Sequence, residues 1–230
     1  MITTQSSLAD LARYYPSGTA ILHRNGLDFC CGGARSLEVA CRTKGLDATQ
    51  ILIALERSEN DCDGVALRLE LWDAKLLVRY IELNHHAFLR QLFPTLKEQI
   101  AKVVAKHGDR HPEIHDISEL YEKLSDTLER HMQDEEHGVF QAVRTSGDLS
   151  AAREEISRHE ADHEDVGRSM TQLGVLTMKF TPPADACNTH RSVYALLERL
   201  VDDTMQHVFL ENAVLFPMLI APSNVATPSH

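Results

Sequence analysis

Two stretches of the chain, ERHMQDEEHGVF and MQHVFLENAVLFP, each hold a histidine and a glutamate four residues apart: His131 with Glu135, and His207 with Glu211. On an α-helix four residues turn through about 400°, so the two side chains of a pair lie on one face, about 6 Å apart. An imidazole and a carboxylate at this spacing can bind one metal ion or bridge to a second. Two such pairs in long helical segments indicate a site assembled between helices.

The composition limits the function classes that need to be considered. A formal net charge of −11 argues against nucleic acid or an anionic membrane as the main partner. Aromatic residues are scarce, but there are 13 histidines, and imidazole is the commonest metal ligand. The five cysteines contain no CxxC pair, the first residues do not read as a signal peptide, and no run of 18 apolar residues occurs. These features predict a cytoplasmic protein with free thiols.

The first part of the sequence has the pattern of short helices broken by turns. The segment DFCCGG at 28–33 is too glycine-rich for a regular element, and Asp47 is a predicted N-cap. A domain of this size is too small for a robust core of its own, and a polar linker is predicted at 60–69. The predicted helices span 7–15, 18–24, 36–43 and 48–58.

From residue 70 the pattern changes to long helical periodicity. Four helices of about 30 residues joined by short turns are typical of an up-down-up-down bundle. The predicted helices span 72–106, 114–145, a segment capped by Asp148 or Ser150 and reaching about 180, and 185–216, with a kink or local break at Pro94. No segment alternates at period two. The sequence therefore predicts an all-α protein, with a small N-terminal helical domain (1–68) followed by an antiparallel four-helix bundle (69–230).

Counting along these helices tests whether candidate ligands fall at one level. At 1.5 Å per residue from the predicted turns, all four helices can present a ligand in a single layer. The six candidates are His86, His131, Glu135, His163, His207 and Glu211. The same count places His107 about 30 Å from His86, so His107 is excluded. Glu136 is disfavoured, because it points about 140° away from His131 on their shared helix, whereas Glu135 lies within about 40°.

The donor set indicates the kind of metal site. Four imidazoles and two carboxylates are too many ligands for a closed tetrahedral zinc site. They suit two metal ions bridged by the two glutamates, and nitrogen and oxygen donors favour iron or manganese.

Five motifs carry a likeness to a known family: SGTAILHRNGLDFCCGG near the start, then HHAFLRQLFP, HMQDEE, HEADHEDVG and HVFLENAVLFP. The chain resembles the repair-of-iron-centres family of ScdA/YtfE type, whose second domain is hemerythrin-like, over nearly its whole length. One departure is visible. The run EHGVFQ at 136–141 stands where a second LFP-like run is expected, which leaves the end of the second bundle helix open.

The resemblance implies a hemerythrin-like bundle with two non-haem iron ions, joined by an oxo- or hydroxo-bridge and held by the same six residues. It implies a protein that supplies iron to iron–sulfur proteins whose clusters are damaged or lost under nitrosative or oxidative stress, with NO or O₂ as small ligands. The family's double cysteine falls on Cys30 and Cys31, expected to accept iron or electrons. We interpret Cys41, Cys62 and Cys187 as structural or incidental. The oligomeric state stays open, with a homodimer through the small domain as one alternative.

Two other functions remain as alternatives. One is a plain hemerythrin-like protein that binds O₂ or NO, which sequence separates only through the cysteine-bearing first domain. The other is a zinc hydrolase, because His159 to His163 match H-E-x-x-H. A hydrolase of that type would leave both His–Glu pairs unexplained. We interpret the chain as an iron donor rather than a turnover enzyme.

Overall fold

The computed structural model describes residues 2–15, 17–60, 69–145 and 152–220. Within these ranges the regular structure is helical, apart from an isolated antiparallel bridge between Ser7 and Ser36. The all-α prediction is therefore confirmed. The predicted linker at 60–69 lies almost wholly outside the described residues, as do Cys62 and the predicted cap at Asp148 or Ser150.

Four short helices form the N-terminal part, at the places that the sequence predicts. The first and the fourth begin at polar side chains that accept backbone hydrogen bonds: the Ser7 Oγ accepts from the Asp10 N–H at 3.0 Å, and the Asp47 carboxylate accepts from the Thr49 N–H at 2.8 Å. Gly45 ends the third helix with φ of 67°, a conformation that favours glycine. The helices are α1 (Leu8–Tyr14), α2 (Gly18–Arg24), α3 (Leu37–Lys44) and α4 (Ala48–Asn60).

The remaining helices form four long antiparallel rods. α6 (Ala87–His107) packs against both α7 (Glu113–His137) and α10 (Asn188–Phe209), and α9 (Ala152–Leu176) packs against α7 and α10, which closes the bundle. The first bundle helix is α5 (Ala74–Ile81), a π-helical turn (Glu82–His86) and α6 (Ala87–His107). The second is α7 (Glu113–His137) with α8 (Val139–Thr145), and the third is α9 (Ala152–Leu176). The fourth is α10 (Asn188–Phe209), a second π-helical turn (Leu210–Leu215) and α11 (Phe216–Ile220).

Proline and glycine act differently from the prediction in the first two bundle helices. α6 continues through Pro94, and the irregular turn lies instead at Glu82–His86. Proline removes one backbone hydrogen bond, but the buried Leu92 and Leu96 on either side hold this helix in the core. The second helix is interrupted at Gly138, where φ is −100° and ψ is −106°.

The ends of the last two bundle helices also differ from the prediction. α9 ends at Leu176 rather than near 180, because the residues after Thr177 adopt left-handed backbone angles, with φ of 49°, 56° and 58°. The fourth helix continues past Pro217 to Ile220. Pro217 is the second residue of α11, and proline is tolerated in the first turn of a helix.

Two apolar clusters form the core. One fills the distal half of the bundle around Leu96, Tyr121 and Leu197. The other joins the N-terminal helices to the near end of the bundle, where the Phe29 and Phe209 rings lie 5.7 Å apart. The N-terminal helices therefore share their core with the bundle, as their small size requires.

Polar contacts fix the N-terminal part on the bundle. The Arg13 guanidinium donates to the Ala213 carbonyl, and the His23 Nδ1 lies 2.5 Å from an Asp202 carboxylate oxygen. The turn that contains Cys31 thus lies against the bundle rather than in solvent. None of the helices described is long and apolar enough to cross a membrane.

Candidate metal centre

The structure brings the six side chains selected from the sequence into one buried layer between the two apolar clusters. None is more than 2% exposed. Their ligand atoms form two sets, each lying within 4.8 Å of one another. The first set is His86, His207, Glu135 and Glu211; the second set is His131, His163, Glu135 and Glu211. Both carboxylates belong to both sets.

In the first set the Nε2 atoms of two imidazoles face the carboxylates. The His207 Nε2 lies 2.8 Å from Glu211 Oε1, and the His86 Nε2 lies 3.5 Å from Glu135 Oε2. The two Nε2 atoms are 3.1 Å apart. Four donor atoms thus converge on one point.

The second set repeats this arrangement with the other carboxylate oxygens. The His131 Nε2 lies 3.2 Å from Glu135 Oε1, and the His163 Nε2 lies 3.2 Å from Glu211 Oε2. The two Nε2 atoms are 2.9 Å apart. Each glutamate therefore offers one oxygen to each set, as a carboxylate that bridges two adjacent metal ions would.

The electrostatics of the layer fit metal ions. Within the described part of the chain, both oxygens of Glu135 and Oε2 of Glu211 have no hydrogen-bond donor, although both carboxylates are fully buried. Burial opposes ionisation, but the neighbouring imidazoles, His131 foremost, hold the pKa of Glu135 well below its usual range. Buried anions need compensating positive charge. Imidazole and carboxylate donors suit iron or another first-row metal ion.

Two of the ligand positions depend on the π-helical turns. His86 is the last residue of the first such turn, and Glu211 lies in the second. Single π turns in α-helices are frequent at functional sites. The first turn also points two consecutive histidines inward, since His85 is only 5% exposed and His86 is fully buried.

A carboxylate lies behind His86. The His86 Nδ1 is 2.7 Å from Glu136 Oε1, and the Arg90 guanidinium donates to the same oxygen at 2.8 Å. Burial alone would lower the pKa of His86, but contacts with Glu135 and Glu136 outweigh it and raise the pKa to about 9. The sequence analysis set Glu136 aside as a ligand, and the structure places it one step behind a ligand, on the neighbouring helix.

An amide lies behind His163. The His163 Nδ1 is 2.8 Å from Asn212 Oδ1, and the Asn212 Nδ2–H₂ donates to the Cys30 carbonyl at 3.3 Å. Asn212 follows Glu211 directly, so one turn supplies a candidate ligand and a link to the N-terminal part. Sequence reasoning did not single out Asn212.

The outer nitrogen of His131 has only longer contacts, and the His207 Nδ1 has no hydrogen-bond partner in the described part of the chain. The His131 Nδ1 lies 3.5 Å from His159 Nδ1 and 3.7 Å from an Asp162 oxygen. The His207 ring is covered by the stacked ring of His85, with centroids 5.7 Å apart. These contacts orient the two rings, but they are weaker than the hydrogen bonds behind His86 and His163.

The two cysteines form a compact group with a carboxylate. Their Sγ atoms are 3.9 Å apart, and the Asp28 Oδ1 accepts from the Cys30 thiol at 3.3 Å and from the Cys31 N–H at 3.0 Å. Asp28, Cys30 and Cys31 could together hold a metal ion. The hydrogen bond to Cys31, followed by burial, raises the pKa of Cys30. The sequence analysis missed Asp28, although its place two residues before the pair was a usable signal.

His107 and the glutamate of the H-E-x-x-H match do not reach the layer. His107 is the last residue of α6, at the far end of the bundle. His159 and His163 both face the layer, but Glu160 is exposed to solvent. A zinc hydrolase with H-E-x-x-H needs that glutamate in the site as general base, so this geometry does not support the hydrolase alternative.

Comparison with known proteins gives matches over both parts of the chain. Residues 77–219 match the hemerythrin HHE cation binding domain, and residues 4–59 match the ScdA_N domain, described as a domain of unknown function (DUF542). The iron–sulfur cluster repair protein ScdA of Staphylococcus haemolyticus is 32% identical over 224 residues, covering 94% of this chain and 98% of that protein.

Relatives with the YtfE name are similar to the same extent. The iron–sulfur cluster repair protein YtfE of Musicola paradisiaca is 34% identical over 216 residues, covering 93% of this chain and 95% of that protein. The YtfE of Escherichia coli O157:H7 is 32% identical, with 93% and 96% covered. The two domain matches together span nearly the whole chain, and the hemerythrin domain is one that binds non-haem metal. The chain belongs to the ScdA/YtfE family of iron–sulfur cluster repair proteins.

Proposed function

We propose that this chain holds two non-haem iron ions in the buried layer, bridged by Glu135 and Glu211, and supplies iron for the repair of iron–sulfur clusters. The clusters concerned are those damaged by nitrosative or oxidative stress. Support comes from two ligand sets that share both carboxylates and from relatives whose names state cluster repair.

One contact carries the delivery part of this proposal. The Cys31 thiol donates to the backbone carbonyl of His163 at 3.3 Å, so the cysteine turn lies on the helix turn that carries a candidate ligand. Asn212 adds a second link, between the His163 ring and the Cys30 carbonyl. A thiol pair in this position is close enough to receive an ion that leaves the layer, which a simple O₂ carrier does not need.

The residues of the turn have distinct roles in that transfer. Thiolates are soft donors that bind iron well, but the pKa of Cys30 is raised, so this thiol carries its proton at neutral pH. The Asp28 carboxylate accepts the hydrogen bond from Cys30 and is positioned to take that proton when the sulfur binds an ion. The Asp28 side chain is 42% exposed, so it can pass that proton to solvent, and the carboxylate can then serve as a third donor.

The charge of the layer favours release over retention. Two carboxylates contribute a charge of −2, whereas carboxylate-rich ferritin-like sites use about four glutamates. Two divalent ions are therefore offset less completely here. The same argument supports the second candidate function, binding of NO or O₂, because an under-compensated metal pair accepts exogenous anionic or diatomic ligands.

Replacing both Cys30 and Cys31 by serine separates these two functions. All six candidate ligands lie outside the cysteine turn, so iron content and the optical spectrum of the bound iron should be unchanged. Iron transfer to an apo iron–sulfur protein should slow at least about tenfold, since serine offers no soft donor. The measurement is the rate of cluster reconstitution by the full-length iron-loaded protein.

The matched control is Cys187→Ser, which removes a free thiol that lies elsewhere in the bundle. It should leave the transfer rate unchanged. Equal rates for the double variant and the unaltered protein would overturn the delivery proposal and favour the NO- or O₂-binding function. The isolated bundle is a poorer test, because its near-end core is shared with the N-terminal helices.

The metal content tests the centre itself. Six nitrogen and oxygen ligands predict about two iron ions per chain, without haem or labile sulfide. Purified protein should show this content by metal analysis and an optical spectrum that changes on reduction. One zinc ion per chain and no iron would contradict the proposal.

The proposal includes a compartment and a class of partners. We place the protein in the cytoplasm, where reduced thiols persist, with damaged iron–sulfur proteins as partners and neither nucleic acid nor membrane as a target. The domain boundary at 68/69 and the oligomeric state, including a homodimer, stay predictions.

A further inference from the structure

A second group of histidines lies at the opposite end of the bundle. His107 ends α6, His111 lies in the following turn, and His190 lies in the first turn of α10. A separation of 21 residues along the first bundle helix puts this group about 30 Å from the buried layer. Neither the proposed iron centre nor the cysteine turn uses these residues.

The His111 ring lies between two carboxylates. Its Nε2 is 3.1 Å from Asp185 Oδ1, and its Nδ1 is 3.2 Å from Glu113 Oε1. In the buried layer His86 has the same environment, with one carboxylate in front of Nε2 and another behind Nδ1. A histidine held from behind by a carboxylate is the usual arrangement of metal-ligating imidazoles.

The ring geometry agrees with that of the proposed ligands in the iron layer. There, the two histidine pairs that share an ion position have centroids 4.8 and 4.7 Å apart, at 65° and 66°. The His111 and His190 rings lie 5.2 Å apart at 73°. Edge-to-face contacts of this kind are common between aromatic rings, and the donor atoms of His111, His190 and Asp185 do not lie within 4.8 Å of one another as those of the buried layer do, so the His190 ring must turn to bind the same ion. His107 is farther out, 5.7 Å from His190 and 6.5 Å from His111, and must also move to join.

Unpaired nitrogens give an independent reason to expect a ligand here. His190 is fully buried, and neither of its ring nitrogens has a hydrogen-bond partner within the described ranges. The same is true of the His107 Nε2. Buried polar atoms without partners destabilise a fold, so an ion that accepts their lone pairs would be stabilising. Burial, followed by the neighbouring histidines, lowers the pKa of His190, which keeps that lone pair free.

We propose that His111, His190 and Asp185, with His107 as a fourth donor, bind one divalent first-row transition-metal ion. Three imidazoles and one carboxylate suit Zn²⁺ and Fe²⁺ alike. The site joins the α6–α7 turn to the start of α10, so an ion there would tie two chain connections together. The proposal does not depend on the iron-delivery function.

The test is calorimetric titration of the iron-loaded, full-length protein with Zn²⁺. Because the cysteine turn could also hold a metal ion, the titration is repeated with Cys30→Ser/Cys31→Ser, in which we expect one Zn²⁺ per chain to bind while the iron content stays unchanged after dialysis. Asp185→Asn and His111→Gln should each lower the Zn²⁺ affinity at least about tenfold. Asp185 is half exposed, so its substitution keeps the test valid even if changes at the buried His190 impair folding.

Two controls distinguish a ligand from a structural contact. His115→Gln removes an exposed histidine from the same end of the bundle and should leave Zn²⁺ binding unchanged. Arg110→Gln removes the other contact of Asp185, at 3.4 Å, without removing a donor, and should also have no effect. The proposal fails if the unaltered protein binds no Zn²⁺ beyond its iron, if both ligand variants bind it as tightly, or if Arg110→Gln weakens binding as much as Asp185→Asn does.

Discussion

The two ligand sets of the buried layer use the same donors but differ in what lies behind them. Each has two imidazoles and one oxygen from each shared glutamate. Behind His86 lies the ionised Glu136, itself paired with Arg90. Behind His163 lies the neutral Asn212, which leads to the cysteine turn. The first set therefore has a hydrogen-bonded anionic support, whereas the second has a neutral hydrogen-bonded support and a more distant carboxylate, Asp162, 3.7 Å from the His131 Nδ1.

This difference has a thermodynamic consequence. A carboxylate behind an imidazole makes it a stronger donor, and loss of such support usually costs 10–100-fold in metal affinity. An amide oxygen orients the ring without adding negative charge. We therefore expect an ion in the His131/His163 set to be held less tightly. That set is also the one nearer to Cys30 and Cys31.

The largest expected effect is the loss of both iron ions when one shared glutamate is replaced. Glu135→Gln or Glu211→Gln takes an oxygen from each set, because each carboxylate is shared, and an amide cannot bridge two ions. The iron content should fall from about two per chain to near zero by metal analysis. His137→Gln, an exposed histidine on the same helix as Glu135, is the control and should retain full content. Retention of one tightly bound ion in either glutamate variant would show that the carboxylates are not shared.

The next effect should be confined to one set. Glu136→Gln removes the charge behind His86 and should weaken the ion of that set 10–100-fold, leaving the other ion in place. Chelator challenge followed by Mössbauer spectroscopy of the remaining ⁵⁷Fe can identify which ion is lost. Glu129→Gln removes a carboxylate that contacts Arg90 but not His86, and serves as the control. Loss of both ions at equal rates would contradict an asymmetric centre.

Part of this centre could be predicted from sequence, and the reason is geometric. The rise of an α-helix fixes which residues fall at one level, so counting brought six side chains to the layer where the structure places them; their role as ligands stays a prediction. Counting along one helix cannot reveal contacts between helices. Glu136 points away from His131 on its own helix and was set aside, yet it reaches His86 on the neighbouring one.

Other features leave no periodic signal in the sequence. The π-helical turns at Glu82–His86 and Leu210–Leu215 shift the helix register by one residue, which a hydrophobic pattern tolerates. The fold class was predictable because long amphipathic segments and short turns leave few alternatives. The breaks and ends of the helices were less predictable, since the helices continue through both Pro94 and Pro217.

A smaller effect should follow from making the two sets more alike. Asn212→Asp would put a carboxylate behind His163, as Glu136 stands behind His86, and should slow iron release from the second set by up to about tenfold. The rate of iron loss to a ferrous chelator measures it. Asn212→Ala, which removes the support without adding charge, should speed release instead. Both variants also lose the hydrogen bond to Cys30, so opposite effects on release can arise only from the group that stands behind His163.

The smallest effect concerns protons, and in this respect the two sets should behave alike. In the metal-free protein the pKa of His86 and the pKa of His131 are both raised to about 9, because contacts with carboxylates outweigh burial. At pH 7.5 each set therefore holds one proton that an incoming ion must displace.

Fe²⁺ binding should release about one proton per ion, and the apparent affinity should fall about tenfold for each unit that the pH drops below 9. Calorimetry in buffers of different ionisation enthalpy measures the number. In Glu136→Gln the pKa of His86 should fall, although Glu135 still raises it, while the pKa of His131 stays raised, so the number of protons released should decrease for the first set only. Release of no protons by the unaltered protein would mean that both imidazoles are already neutral, and that the buried carboxylates are compensated in some other way.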